Sequence, residues 1–333
     1  MPETEVSIIV PAYNEERVIS DCINSLLALD YPKEKYEIII VNDGSTDRTV
    51  DIVNEFAKDY KNITLLSKEN GGKASAQNFG LKYSTGRFVL ITDADTVVER
   101  DWISKMLKDL KKFDIVIGAY YARDPDTWLE KVQNAHYLIK FKFGGLKGRP
   151  SVGTNIGFRK EVVRKIGSFN ESKTSVTEDF IRRAEEAGFK IHFNPKIVVF
   201  TKCTTNIKDF LKQKLRWREN LLSYLRGEKI TFSDLLGLGY TFGLSFILFV
   251  SFFLSILRLN YQYFLFSFVS IFLISLLFYS KPLLSMYKSE ESYYVKYFMI
   301  YLLLEMIVRM ILIPYLTYRL IKPRKKPTFN TRR

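Results

Sequence analysis

The 333-residue chain holds only two cysteines, Cys22 and Cys203, and two histidines, His136 and His192, which leaves no basis for a disulfide framework, a zinc site or a histidine-based hydrolase. Its net charge is +14, but residues 231–333 carry 12 Lys+Arg against 4 Asp+Glu, and the stretch 319–333 has seven basic residues and no acid. Basic residues beside long uncharged segments suit anionic lipid headgroups, so a membrane surface is expected in place of nucleic acid.

The amino terminus, MPETEVSIIV, lacks the basic start and long apolar core of a signal peptide. Short apolar, β-branched runs follow at Val6–Val10, Tyr36–Val41, Ile63–Leu66 and Phe88–Thr92, with further strands expected at Ile115–Ala119 and Ile197–Phe200. Helical patterns separate the first four: Glu16–Leu29, Thr46–Asp59 and Gly72–Tyr83. This alternation predicts an α/β domain with a mostly parallel sheet covered by helices on both faces.

From Ile207 to Arg226 runs a basic amphipathic helix, with Phe210, Leu211, Leu215, Leu221, Leu222 and Leu225 on one face and Lys208, Lys212, Lys214 and Arg218 around it. Such a helix suits the headgroup layer. Leu235–Leu257 and Leu259–Ser280 are 23 and 22 residues without a charge, each long enough to cross a hydrocarbon core of roughly 30 Å. Tyr297–Tyr318 is a third apolar segment, interrupted by Glu305 and Arg309, which are spaced to form an ion pair. Hydropathy favours three crossings. The basic tail favours two, because positive charge tends to stay inside.

The polar residues with chemical potential sit where strands end: Pro11 to Glu16 after the first, Asn42 to Ser45 after the second, and Asp93-Ala94-Asp95 after Phe88–Thr92. Ligands of open parallel sheets bind outside the carboxyl ends of the strands. No G-x-G-x-x-G follows the first strand, and Ala74 after Gly71-Gly72-Lys73 rules out a Walker motif. Asp93 and Asp95 are hard oxygen donors suited to Mg²⁺ or Mn²⁺ shared with phosphate oxygens.

Seven ordered motifs carry a resemblance: VPAYNEE (Val10–Glu16), VNDGSTD (Val41–Asp47), ENGGKASAQNFGL (Glu69–Leu81), DAD (Asp93–Asp95), GTN (Gly153–Asn155), TED (Thr177–Asp179) and QKLRW (Gln213–Trp217). Over about residues 5–225 the chain resembles the family 2 glycosyltransferases, above all the membrane-integrated branch of cellulose, chitin and hyaluronan synthases and ceramide glucosyltransferases. The resemblance implies a GT-A type domain that binds a nucleotide-diphosphate sugar, a UDP-sugar by its relatives, with Mg²⁺ or Mn²⁺. It places Ala12, Tyr13, Glu15 and Asp43 on the base and ribose, Lys73 on the donor phosphates, and Asp93 on the nucleotide. Asp95 would hold the metal across the pyrophosphate, with Asp93 beside it. Asp179 would be the general base of an inverting displacement. Gln213 and Trp217 would shape the acceptor site, and Arg216 would contact the leaving diphosphate. Glu178-Asp179 also fits a plain helix N-terminus capped by Thr177.

The expected organisation is a catalytic domain over 1–205, an interfacial helix carrying QKLRW over 206–230, a membrane region with two or three spans over 231–320, and a basic tail over 321–333. The motif for the second strand begins with Asn42 where many relatives have Asp, and no membrane span precedes the catalytic domain. Three apolar segments are few for a polysaccharide channel in one chain. That favours a lipid or lipid-linked acceptor, or a processive synthase that works as an oligomer. A membrane-attached nucleotidyltransferase and a basic membrane scaffold are the competing classes. Neither needs TED and QKLRW together with acids at three strand ends.

Overall fold

The computed structural model describes residues 4–144, 153–172, 176–217, 243–257 and 261–321. The chain divides into two compact units, one taking in 1–123 and 148–202, the other 124–147 and 203–324.

The first unit is built on an eight-stranded sheet. Its strands are β1 (Val6–Ala12), β2 (Tyr36–Asn42), β3 (Ile63–Ser67), β4 (Phe88–Thr92), β5 (Thr96–Val98), β6 (Ile115–Ala122), β7 (Asn155–Arg159) and β8 (Ile191–Thr201), in the order β3-β2-β1-β4-β7-β6-β8-β5. β1 is buried along its whole length because strands flank it on both sides and helices cover both faces, which explains its unbroken apolar run. Its pairing with β4 stops at Ile9, two residues before Pro11, whose nitrogen carries no donor for a ladder. The helices of this unit are α1 (Ile19–Leu27), α2 (Thr49–Asp59), α3 (Lys73–Tyr83), α4 (Trp102–Leu110), α6 (Lys160–Ile166) and α7 (Val176–Glu186), with α5 (Trp128–Phe141) belonging to the second unit. A core of Ile8, Val10, Ile23, Ile38, Ile40, Trp102 and Met106 joins sheet and helices.

The sheet is mixed, with parallel pairings in the majority, as expected, and antiparallel ones that the sequence did not reveal. β1–β2, β2–β3, β1–β4 and β6–β8 are parallel, whereas β4–β7, β6–β7 and β5–β8 are antiparallel. The physical reason lies in β7, a strand of GTN and its neighbours that the apolar pattern did not reveal. It enters at the carboxyl end of β4, with Asn155 opposite Thr92, and runs back along it. The strand expected at Ile197–Phe200 begins earlier, at Ile191, and its pairing with β6 shifts register at Gly118/Ala119.

The second unit is helical. It contains α5, α8 (Ile207–Trp217), α9 (Leu244–Leu257), α10 (Gln262–Phe278), α11 (Ser280–Tyr287) and α12 (Val295–Ile321). Thr127 and Glu130 start α5 with a reciprocal capping box. Leu215 of α8 packs with Val308, Leu312 and Leu316 of α12, while Leu248 of α9 and Ile271 of α10 pack around Met306. Phe246, Phe253, Phe266 and Leu277 remain exposed on α9 and α10.

Among the described residues, the helical stretch Glu290–Arg319 is by itself long and apolar enough to cross a membrane. α10 and α11 qualify only as a pair, bent by 62°, and the described part of the first apolar segment is the shorter α9. Glu305 and Arg309 do form the expected pair, at 3.7 Å between Oε1 and Nε, and both are buried. Lys214, assigned from sequence to the polar side of its helix, is buried instead. Its Nζ lies 4.9 Å from the centre of the Tyr301 ring and 5.3 Å from that of Phe210, so the stem packs and the charge meets aromatic faces. The remainder of the amphipathic helix beyond Trp217, residues 235–242 of the first apolar segment and the tail after Ile321 lie outside the described residues.

Candidate active site

The sheet order reverses between β1 and β4: the chain first builds outward through β2 and β3, then returns to add β4 on the other side. Ligand-binding crevices of open α/β sheets lie at such a point, outside the carboxyl ends of the strands. Ala12, Asn42 and Thr92 are the last residues of β1, β2 and β4, and the polar motifs start directly after them.

The first two motifs are laced together. Asp43 N donates to Ala12 O at 2.9 Å, Asn14 N to Ser45 Oγ at 3.0 Å, and Glu15 N to Thr49 Oγ1 at 2.8 Å. Asn14 takes a left-handed backbone, φ 54°, and its Oδ1 accepts from Thr46 N at 2.8 Å. Asp47 accepts from Glu16 N at 3.1 Å and from the amide and hydroxyl of Thr49 at 3.0 and 2.5 Å. Burial alone would raise the Asp47 carboxyl, but these donors outweigh it and hold it below the ordinary carboxylate value.

Asp43 is 0% exposed and serves the neighbouring loop. Its Oδ1 accepts from Lys68 Nζ at 2.7 Å and Gly71 N at 3.0 Å, and its Oδ2 accepts from Gly72 N at 2.7 Å. Three of the roughly four acceptor positions of this carboxylate are thus spent on holding the loop. Gly72, at φ 91°, caps α3 in a backbone region that side chains rarely tolerate. Lys73 is therefore delivered as the first residue of α3, at the positive end of the helix dipole.

Lys73 Nζ is ion-paired with Asp93 Oδ1, and Thr154 of GTN donates its hydroxyl to Asp93 Oδ2. A Cβ on Gly153 would fall 2.5 Å from Thr177 Oγ1 and 3.9 Å from Lys73 Nζ, so this position is held to glycine by close approach. Four motifs separated by up to about a hundred residues, ENGGK, DAD, GTN and TED, thus meet at the end of β4.

Asp95 is 7% exposed, and its Oδ1 accepts from Thr96 and Thr201 hydroxyls at 3.2 and 3.4 Å. The buried Cys22 thiol lies beneath the motif, 3.6 Å from Asp93 O. Burial, then Asp95, Asp93 and Glu15, push its ionisation upward, so it is an inert thiol. Among the described residues no group of three or more His, Cys, Asp or Glu gathers to cage a metal. Two carboxylates in a polar strand-end turn nevertheless fit a hard divalent ion that takes its other ligands from a diphosphate and water.

Asp179 lies in the first turn of α7 and is 8% exposed. Arg182 Nη2 reaches its Oδ1 at 3.0 Å and Arg183 Nε its Oδ2 at 2.8 Å. Thr177 lies inside α7, which begins at Val176, so the capping role considered for it does not hold. Gln213, Arg216 and the backbone of Trp217 lie on α8 in the second unit, where Gln213 Oε1 is buried and has no hydrogen-bond partner among the described residues.

Sequence reasoning missed several contributors. Thr154 and Asn155 sat inside a motif that was recognised but given no role. Asn155 is a structural hub: its Nδ2 donates to Ala119 O at 2.7 Å and Ile197 O at 3.0 Å, and its Oδ1 accepts from Trp102 Nε1 at 2.9 Å. Arg183 could have been found from its spacing, four residues after an acid on a helix.

Comparison with known proteins agrees with this architecture. The family described as Glycosyl transferase family 2 matches residues 7–167, and the one described as Glycosyl transferase family group 2 matches residues 88–313. The chain is 30% identical over 228 residues to the probable glycosyltransferase YdaM of Bacillus subtilis (strain 168), covering 64% of this chain and 54% of the relative. It is 31% identical over 229 residues to the poly-beta-1,6-N-acetyl-D-glucosamine synthase of Staphylococcus epidermidis, with the same coverage. The chain thus spans about half the length of the curated relatives it matches.

Among solved structures, the mannosyltransferase PcManGT from Pyrobaculum calidifontis, in complex with GDP-Man and Mn²⁺, superposes with a TM-score of 0.57 at 18% identity, covering 92% of this chain and 87% of the other. S. aureus TarS 1–349 in complex with UDP-GlcNAc gives 0.51 at 18% identity, covering 95% and 92%. At these identities the likeness shows a shared fold, the GT-A-like glycosyltransferase fold with a mixed sheet. With the second family match running across two thirds of its length, the chain belongs to the family 2 glycosyltransferases.

Proposed function

We propose that the chain is a membrane-bound, metal-dependent, inverting glycosyltransferase that moves a sugar from a nucleotide-diphosphate sugar to a lipid, lipid-linked or growing polysaccharide acceptor. The observation that carries this reading is the meeting of Lys73, Asp93, Thr154, Gly153 and Thr177 at the end of β4, beside the laced ends of β1 and β2. Membership of the family supports this reading over the nucleotidyltransferase and scaffold alternatives.

Ala12, Tyr13, Glu15 and Asp43 form the base and ribose site. Lys73, already at a helix N-terminus, leaves Asp93 for the donor phosphates when they arrive. Asp95 and Asp93 would hold Mg²⁺ or Mn²⁺, which would supply positive charge at the departing diphosphate. Arg216 adds charge on the same side, with Gln213 and Trp217 against the acceptor. Asp179 takes the proton from the acceptor hydroxyl as the new glycosidic bond forms. One base and one displacement invert the anomeric carbon.

A UDP-sugar is the favoured donor, because the Staphylococcus epidermidis relative is named for poly-N-acetylglucosamine synthesis and the TarS complex holds UDP-GlcNAc. The PcManGT complex, with GDP-Man and Mn²⁺, supports the divalent ion and keeps GDP-sugars in the screen. The long apolar stretch Glu290–Arg319 and the exposed apolar faces of α9 and α10 support membrane attachment, with the catalytic domain in the cytosol. The same relative's name favours, as a second reading, a polysaccharide synthase; the few apolar segments of this chain would then call for a processive enzyme that works as an oligomer.

The test is a screen of radiolabelled UDP- and GDP-sugars on membranes containing the chain, followed by separation of lipid-soluble from polymeric product. Label is expected in one of those fractions and absent with the Asp179→Asn variant. Incorporation into neither fraction, across the whole donor panel, refutes the proposal.

A further inference from the structure

We propose that Asn78 and Arg183 are positioning residues that tie the general base to the phosphate-binding lysine through a single loop, 166–171. This deepens the reading above, since it rests on Asp179 as base and Lys73 on the donor phosphates.

Arg183 reaches three acceptors at once. Its Nε donates to Asp179 Oδ2 at 2.8 Å, its Nη1 to Ile166 O at 2.6 Å and its Nη2 to Ser168 O at 2.8 Å. The planar guanidinium therefore fixes the carboxylate against the backbone just after α6. Gly167 makes that geometry available: at φ +79° it ends α6, its N–H returning to Val163 O at 2.9 Å, and turns the Ile166 and Ser168 carbonyls toward the arginine.

The same loop is gripped from its other end by α3. Asn78 Nδ2 donates to Phe169 O at 2.9 Å, and Asn78 Oδ1 accepts from Phe169 N at 2.9 Å, a two-way clamp of a carboxamide on one backbone residue. Asn78 Nδ2 also reaches Glu171 Oε1 at 3.0 Å. Between the two clamps the Phe169 side chain is buried against Phe158 and Phe180, with ring centres 6.2 and 4.6 Å away, so the loop cannot swing as a free hinge. Asn78 stands five residues after Lys73 on the same helix. A rigid chain of contacts thus runs from Lys73 along α3, through Asn78, Phe169 and the 166–168 carbonyls, to Arg183 and Asp179.

The functional consequence is alignment. A nucleophilic displacement needs the base on the acceptor side held at a set distance from the phosphates on the leaving side. Misplacement by about 1 Å costs on the order of 10²-fold in rate. Neither Asn78 nor Arg183 needs to touch substrate for this. Each acts through the loop, so each should alter turnover while sparing nucleotide binding.

The test uses the full chain in membranes or detergent and measures two quantities: kcat with the donor that supports transfer, and the Kd for UDP–Mn²⁺ and GDP–Mn²⁺. Arg183→Gln and Asn78→Ala should each lower kcat by about 10- to 10²-fold, with the nucleotide Kd changed less than about twofold. In an Asp179→Asn background the same substitutions should change the residual rate less than about twofold, because the base they align is already gone. An equal loss in both backgrounds, loss of nucleotide binding in step with turnover, or no loss at all overturns the proposal. Arg183→Lys keeps the charge without the fork and should lose kcat like Arg183→Gln, which keeps the test open where glutamine prevents folding. Wild-type turnover by Asp179→Asn alone would refute the base assignment itself and the alignment with it, an outcome distinct from the others.

Discussion

At the residue scale, the proposed role of Asp179 is the most demanding, since as the general base its carboxylate would accept a proton while two guanidiniums hold it. Arg182 and Arg183 each occupy one oxygen, leaving lone pairs on both for an acceptor hydroxyl. Asparagine keeps the shape but cannot accept that proton effectively. Asp179→Asn is therefore expected to bind nucleotide normally and to lose about 10²- to 10⁴-fold in kcat, read by steady-state turnover beside a binding titration. Loss of nucleotide binding would move the residue into the donor site.

Asp47 makes a different kind of prediction. Its folded-state pKa is depressed, so it contributes stability above its unfolded value, and that contribution is lost as pH falls through the folded value. Asp47→Asn should destabilise the chain by roughly 1–2 kcal/mol at neutral pH through weakened bonds to Glu16 and Thr49. The gap from wild type should shrink below about pH 4. Thermal midpoints measured against pH would show it, and a pH-independent gap would contradict the charge-based account.

At the scale of elements, β7 explains both the mixed sheet and the closure of the site. Its first residue, Asn155, joins β6, β8 and α4 through three hydrogen bonds while its neighbour Thr154 holds Asp93. Asn155→Ala would leave Trp102 Nε1 and two buried carbonyls without that partner, a loss of about 2–4 kcal/mol. Chemical denaturation should show the lowered midpoint, with Asp93-dependent nucleotide binding weakened at the same time. A stability matching wild type would show that Asn155 is replaceable.

The sequence made the β1–β4 half of this unit plain, because β1, β2 and β4 are largely apolar, buried strands and β3 a short apolar edge strand, alternating with helices. β5 and β7 were not legible. β5 has three residues, and β7 contains Asn155, Gly157 and Arg159, whose roles depend on partners distant in sequence. The acidic positions were legible because they punctuate strand ends. The residues that hold them, Lys68, Thr154 and Thr201, were not, since nothing local distinguishes a lysine or threonine that meets an acid across the fold.

At the scale of the whole molecule, one unit carries the candidate donor site and the other is helical and contains α12. At about 1.5 Å per residue its 27 residues extend roughly 40 Å, beyond a hydrocarbon core of roughly 30 Å. The chain should therefore sediment with membranes and resist extraction by high salt or alkali while yielding to detergent. Release by salt alone would reduce its attachment to surface electrostatics.

The central claim is that the acids at the strand ends bind a nucleotide diphosphate together with a divalent ion. Its most direct test is a calorimetric titration of the detergent-solubilised chain with UDP and GDP, with Mn²⁺ and again in excess chelator. Binding of one nucleotide with Mn²⁺ is expected, weakened at least about tenfold by chelation, and Asp95→Ala should erase the metal dependence without unfolding the protein. Equal affinity with and without the ion, or full metal dependence in Asp95→Ala, would contradict the assignment of the site.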